Sequence, residues 1–242
     1  MNRPRIRTVA VALALVCGGA LGCGDDAGLT NPASSPYQPL VVPGHFSAST
    51  AVDNPYFPLV SGTELVYEGK GERGVIEVLS ERRTVMGIEC VVVRDRAYED
   101  GELVEDTYDW FAQDNDGNVW YFGEDSHEVK DGKYVNSHGS WEAGTDGALP
   151  GIIMLGKPLA GVWYRQEYYR GEAEDMGQVL ALDETVTTPA GTFEHCLQTL
   201  DTNALEPKVQ EYKWYAPGIG VVKEQEIRGG SDAMELVSVR RP

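Results

Sequence analysis

Basic side chains are scarce in this 242-residue chain: 20 Lys and Arg stand against 38 Asp and Glu, a formal charge of −18 at pH 7. A surface that negative repels phosphate backbones, which argues against nucleic-acid binding and leaves cations and basic partners open. Cysteine is scarcer still, with four residues in all. There is no Cys-x-x-Cys pair, and His45, His127, His138 and His195 form neither His-x-His nor His-Glu-x-x-His, so a zinc centre has no local ligand pair to grow from. Gly-x-Ser-x-Gly is missing, which argues against a hydrolase nucleophile elbow. Missing too is any apolar run of the roughly 20 residues needed to span a bilayer, and no segment carries a capped 3.6-residue apolar stripe.

What is present begins with an export signal. Arg3, Arg5 and Arg7 form a positive start, Val9 to Leu15 opens a short apolar core, and small residues lead to Cys23. Ala20-Leu21-Gly22-Cys23 resembles the lipobox of bacterial lipoproteins, with Ala20 where that motif usually has Leu. The resemblance implies a signal peptide over residues 1–22, cleavage before Cys23, and a diacylated Cys23 anchoring the chain to a membrane on the extracytoplasmic side. An ordinary secretory cut near Gly22 is the competing reading. Gly24 stands where enterobacterial lipoproteins retained in the inner membrane carry Asp, so outer-membrane sorting is expected if the organism has that membrane. Residues 23–52, with Pro32, Pro36, Pro39 and Pro43 and no periodicity, read as a tether.

From residue 53 onward, short alternating runs are separated by turn signals such as Met86-Gly87, Asp100-Gly101, Asp131-Gly132 and Pro217-Gly218. In one such run Val104, Asp106, Tyr108 and Trp110 share a face, with Glu105, Thr107, Asp109 and Phe111 on the other. The expectation is a single all-β domain over 53–242, an antiparallel meander of ten to twelve strands forming a curved sheet or partly open barrel. It carries an internal duplication. Tyr108-Asp109-Trp110-Phe111-Ala112 is answered by Tyr212-Lys213-Trp214-Tyr215-Ala216, and each copy is preceded by a cysteine, Cys90 and Cys196. The halves fall at about 62–142 and 161–230. In an exported protein Cys90 and Cys196 either pair as a disulfide or lie buried as free thiols.

Between the halves, residues 139–161 read as a long irregular connection around Trp141 and the apolar Ile152-Ile153-Met154-Leu155. Such a segment serves as a strap over the sheet or as a binding loop. In the second case an apolar ligand sits beside Trp141 and Met154, near Arg165 and Glu167 of the strand that follows. Glu172, Glu174 and Asp175 could offer oxygens to calcium, although their spacing matches no defined ligand loop. Asp114-Asn115-Asp116-Gly117-Asn118 places Val119 where a calcium-binding EF-hand loop needs glycine, so it reads as a tight turn.

Asp53-Asn54-Pro55-Tyr56-Phe57-Pro58-Leu59, Thr188-Pro189-Ala190-Gly191-Thr192-Phe193 and Trp214-Tyr215-Ala216-Pro217-Gly218-Ile219-Gly220 resemble motifs of a family of uncharacterised bacterial envelope lipoproteins. The resemblance covers most of residues 53–228 and implies a fold type without assigning a catalytic residue or cofactor. The expected function is a lipid-anchored, non-catalytic binding or assembly role, with an apolar ligand or an envelope protein as partner. The alternative is a secreted, carboxylate-dependent or calcium-assisted glycan hydrolase.

Overall fold

The computed structural model describes residues 37–242, so the expected signal peptide, Cys23 and the first part of the tether lie outside the described residues. Fifteen strands make one antiparallel sheet. They are β1 (Glu64–Glu68), β2 (Glu72–Val85), β3 (Ile88–Glu99), β4 (Glu102–Gln113), β5 (Val119–Lys130), β6 (Lys133–Asn136), β7 (Trp141–Glu142), β8 (Leu149–Met154), β9 (Trp163–Arg165) and β10 (Glu167–Tyr168). β11 (Asp175–Thr188), β12 (Gly191–Asn203), β13 (Gln210–Ala216), β14 (Gly220–Arg228) and β15 (Ala233–Arg240) complete the set. The excess over ten to twelve comes from the short strands β6 to β10 that lie between β5 and β11. β7 and β8 both hydrogen-bond to β5, so the expected irregular connection extends the sheet in two places.

Turn chemistry sets the hairpins. Met86-Gly87, Asp100-Gly101 and Asp131-Gly132 each hold two consecutive positive φ angles, from 48 to 85°, the conformation whose twist matches two-residue hairpins. Asp114 Oδ1 accepts from the backbone N–H groups of Asp116 and Asn118, both at 2.9 Å, which makes the acidic run a side-chain-braced turn between β4 and β5.

Around the sheet the neighbours run β10, β8, β5, β4, β3, β2, β1, β15, β14, β13, β12, β11, β9. The two end strands are consecutive in the chain: Trp163–Arg165 pairs with β11, and one residue later Glu167–Tyr168 pairs with β8. A single segment thus passes from one edge to the other, leaving a nearly closed barrel with one unsealed seam. Glycine makes the passage tight. A Cβ on Gly151 of β8 would lie 2.2 Å from the Gln166 carbonyl oxygen, and one on Gly177 of β11 would lie 2.7 Å from the Tyr164 ring. Neither position has room for a side chain.

The expected duplication is visible in the ladder. β2 to β5 and β11 to β14 follow the same meander, and β1 borders β2 as β9 borders β11. Val92 faces Trp110 where Gln198 faces Trp214, and Asp109 faces Glu124 where Lys213 faces Glu224.

The tether is shorter than residues 23–52. A 3-10 turn at Pro43–His45 leads into Phe46, which is buried with its ring 6.1 Å from Trp120 and 5.8 Å from Phe122. Val52 is also buried. Tyr37 donates a hydrogen bond to the Pro150 carbonyl at 2.9 Å, so the packed body starts well before residue 53. Proline spacing hides this, because two apolar side chains in a proline-rich stretch carry no period.

Candidate functional site

Strand alternation directs one face of each long strand into the barrel, and that face is apolar at one end and acidic at the other. On β4, Glu105, Thr107, Asp109 and Phe111 are all buried, and the Thr107 hydroxyl lies in hydrogen-bond reach of Glu105 at 3.0 Å and of the Ser126 hydroxyl at 2.9 Å. The opposite face turns outward. Asp106 there forms a two-bond pair with Arg94 (2.7 and 2.8 Å) and accepts from Tyr134 at 2.6 Å. Although Asp106 is itself buried, these hydrogen bonds and the neighbouring charge hold its carboxyl below the usual range.

Buried carboxyls from both halves meet in the acidic end. Asp95 is 1% exposed and neither of its oxygens has a hydrogen-bond partner. Burial, then repulsion from Asp109, Glu105, Glu224 and Glu124, pushes it well above the ordinary carboxyl range. Glu124 is raised for the same reasons, with Asp109 its largest source of repulsion, while Asp109 accepts from Tyr121 at 2.8 Å. Lys213 is the cation of this interior. Its Nζ lies 3.6 Å from Asp201, 3.6 Å from Glu224 and 3.7 Å from Glu211. The carboxylates outweigh the desolvation of the ammonium and keep it charged.

At the seam the acidic end opens into a cavity of about 30 Å³ lined by Tyr121, Ile153, Glu167, Asp175, Asp201 and Val209, with Glu206 and Glu211 also on its wall. Glu167 is fully buried, and neither carboxylate oxygen has a hydrogen-bond partner of normal geometry, although the group lies against Asp175 and the Trp141 indole. Asp201 accepts from Gln166 at 3.1 Å through one oxygen and leaves the other unpartnered. Asp175 accepts from Asn203 at 3.1 Å. Burial raises both Glu167 and Asp175 above their ordinary values.

The residues singled out from the sequence divide. Glu167 lines the cavity from β10, while Arg165, at the end of β9, lies under aromatic rings, with its guanidinium carbon 4.6 Å from the Tyr168 centroid and 5.4 Å from that of Tyr37. Trp141 and Met154 do not border an apolar cleft. Both are buried in the core, Trp141 edge-on to Tyr121 at 5.3 Å, because β7 and β8 dock on β5 and carry them inward. The three acids of the expected calcium turn separate. Glu172 is exposed, Glu174 accepts from Gly171 N–H at 2.9 Å, and Asp175 points into the barrel. Among the described residues no group of three His, Cys, Asp or Glu is placed to hold a metal ion.

Cys90 and Cys196 are both buried free thiols. Each donates to a carbonyl of its own hairpin, Cys90 to Ile88 at 3.7 Å and Cys196 to Phe193 at 3.5 Å. Of the two readings left open, the structure takes the free-thiol one. Burial pushes the Cys90 thiol up to about 12, which makes it unreactive.

Sequence reasoning missed Asp95, Asp109, Asp201, Lys213 and Glu224. The register of the repeat carried the signal: Lys213 and Asp109 occupy the same place in the two Tyr-x-Trp motifs, on the face opposite the tryptophans.

No protein-family model matches the chain, and no curated protein is similar to it. Two solved structures share its outline. One, from Bacteroides fragilis, is described as an exported protein with a YmcC-like fold; it is 16% identical over 77% of this chain and 99% of its own, with a TM-score of 0.44. The other, from Parabacteroides distasonis, is described as a lipoprotein; it is 14% identical over 76% of this chain and 98% of its own, with a TM-score of 0.42.

Proposed function

We propose that this chain is a lipid-anchored envelope protein, held by Cys23 outside the cytoplasmic membrane, with a binding or assembly role rather than a catalytic one. The anchor rests on Arg3, Arg5 and Arg7, the short apolar core and Ala20-Leu21-Gly22-Cys23. Tyr37, fourteen residues after Cys23, already packs against the barrel.

The observation that carries the non-catalytic half is the contact between Glu167 and Asp175. A glycosidase needs two carboxyls about 5 to 9.5 Å apart across a cleft that admits a sugar ring. Here the two buried acids touch, and the cavity beside them holds only about 30 Å³. That geometry supports retention of a small polar group and not turnover of a glycan.

Membrane fractionation with intact-mass measurement tests the anchor. The wild type is expected in the membrane fraction with a diacylated N-terminal cysteine, and Cys23→Ser is expected to remain unprocessed. A wild-type mature protein without lipid would overturn this reading.

A further inference from the structure

We propose that the seam cavity is a binding site for a small primary alkylammonium ion, its head among Glu167, Asp175 and Asp201 and its hydrocarbon stem against Ile153 and Val209. This deepens the binding role proposed above by naming the ligand class. The anchor measurement is independent of it, so the two can fail separately.

Four observations lead here. First, Glu167 is 0% exposed and lines the cavity with neither oxygen in a hydrogen bond of normal geometry, although it lies against Asp175 and the Trp141 indole, and Asp201 Oδ1 is unpartnered. Buried acceptors left in this state cost free energy that a donor with several N–H groups recovers. Second, charge selects a cation. Five carboxyls, Glu167, Asp175, Asp201, Glu206 and Glu211, line the space with Lys213 as their one ammonium, and a bound cation would favour release of the proton that burial holds on Glu167.

Third, the barrel already builds an ammonium site of this kind, with three carboxylates 3.6 to 3.7 Å from Lys213 Nζ. Three donors and a compact charge suit carboxylates that surround a point. A metal ion fits less well. It needs closely converging oxygens, and the described residues offer no such group of three. Fourth, size and lining select the primary amine. The cavity of about 30 Å³ exceeds the roughly 10–15 Å³ a cavity needs to hold one water, which suits an ammonium head and excludes a quaternary one. Ile153 and Val209 supply apolar wall for methylenes.

The test uses the mature full-length protein in detergent at pH 8, melted with n-butylammonium, tetramethylammonium, sodium or calcium chloride at matched ionic strength. A saturable rise in Tm with butylammonium, absent with tetramethylammonium and sodium, is expected. In Glu167→Gln the half-saturating concentration should increase at least tenfold. Glu206→Gln, a half-buried change at the rim, guards against misfolding of the first variant and should weaken binding several-fold in calorimetric titration. Equal shifts with every salt would reduce the effect to screening and overturn the proposal. So would a response to calcium without one to butylammonium, or butylammonium binding undiminished in both variants.

Discussion

Lys213 on β13 stands at the register position that Asp109 holds on β4, and each faces a glutamate directly across the ladder, Glu224 and Glu124 respectively. The duplication therefore placed two acid-bearing frames in one interior and filled equivalent places with opposite charges. The second half neutralises its carboxyls with an ammonium; the first half stacks Asp109, Asp95 and Glu124 without one and relies on protonation.

Lys213→Met is expected to destabilise the barrel by roughly 3–5 kcal/mol at neutral pH, because it strips the shared cation from the buried Asp201 and Glu224 and the half-buried Glu211. The loss should shrink at pH 5, because burial already raises Glu224 to about 8 and lower pH favours its neutral form, which needs no cation. Urea denaturation at the two pH values checks both statements. Equal losses at both would detach the effect from charge.

Stability should fall as pH rises. Asp95, Glu124 and Glu167 have folded-state values raised above the ordinary 3.8 to 4.5, so in that window the folded chain holds more protons than the unfolded one. Their contribution is full below about pH 4 and is lost as pH climbs toward their raised values. Asp106, held low by Arg94, acts in the opposite sense and loses its contribution only in acid. Melts between pH 5 and 8.5 should show Tm declining, and Asp95→Asn should flatten that decline and raise Tm at the alkaline end.

Phe46→Ala should cost about 3 kcal/mol or more, the usual range for emptying a buried aromatic site, since the ring packs between Trp120 and Phe122. A tether residue would show no change in the urea midpoint.

Thiol titration of unreduced protein should find Cys90 and Cys196 silent in the native state and both reactive in denaturant, as expected of free buried thiols. One disulfide in place of two thiols would mean that the two hairpins approach more closely than the structure has them.

Much of the architecture was legible. Two-residue turns at Met86-Gly87, Asp100-Gly101 and Asp131-Gly132 mark hairpins because their φ angles demand it, and the Tyr-x-Trp repeat marks the duplication. The tether boundary was not legible, since Phe46 and Val52 acquire meaning only against Trp120, Phe122 and their neighbours. The burial of Trp141 and Met154 was not legible for a related reason. An apolar run between glycines reads equally as a binding loop or as core, and pairing with β5 decides.

The sequence by itself determined that this chain is acidic, all-β and built twice over, because charge, period-two alternation and turn chemistry are local properties. Strand alternation also separated Asp106 from Asp109. Only the tertiary structure decided which of those faces points inward, and it turned the glutamates and aspartates of several strands toward one another around Lys213. Alternation fixes two faces without ranking them; closing the sheet on itself, with Gly151 and Gly177 leaving space for residues 164–167, is what makes one face an interior.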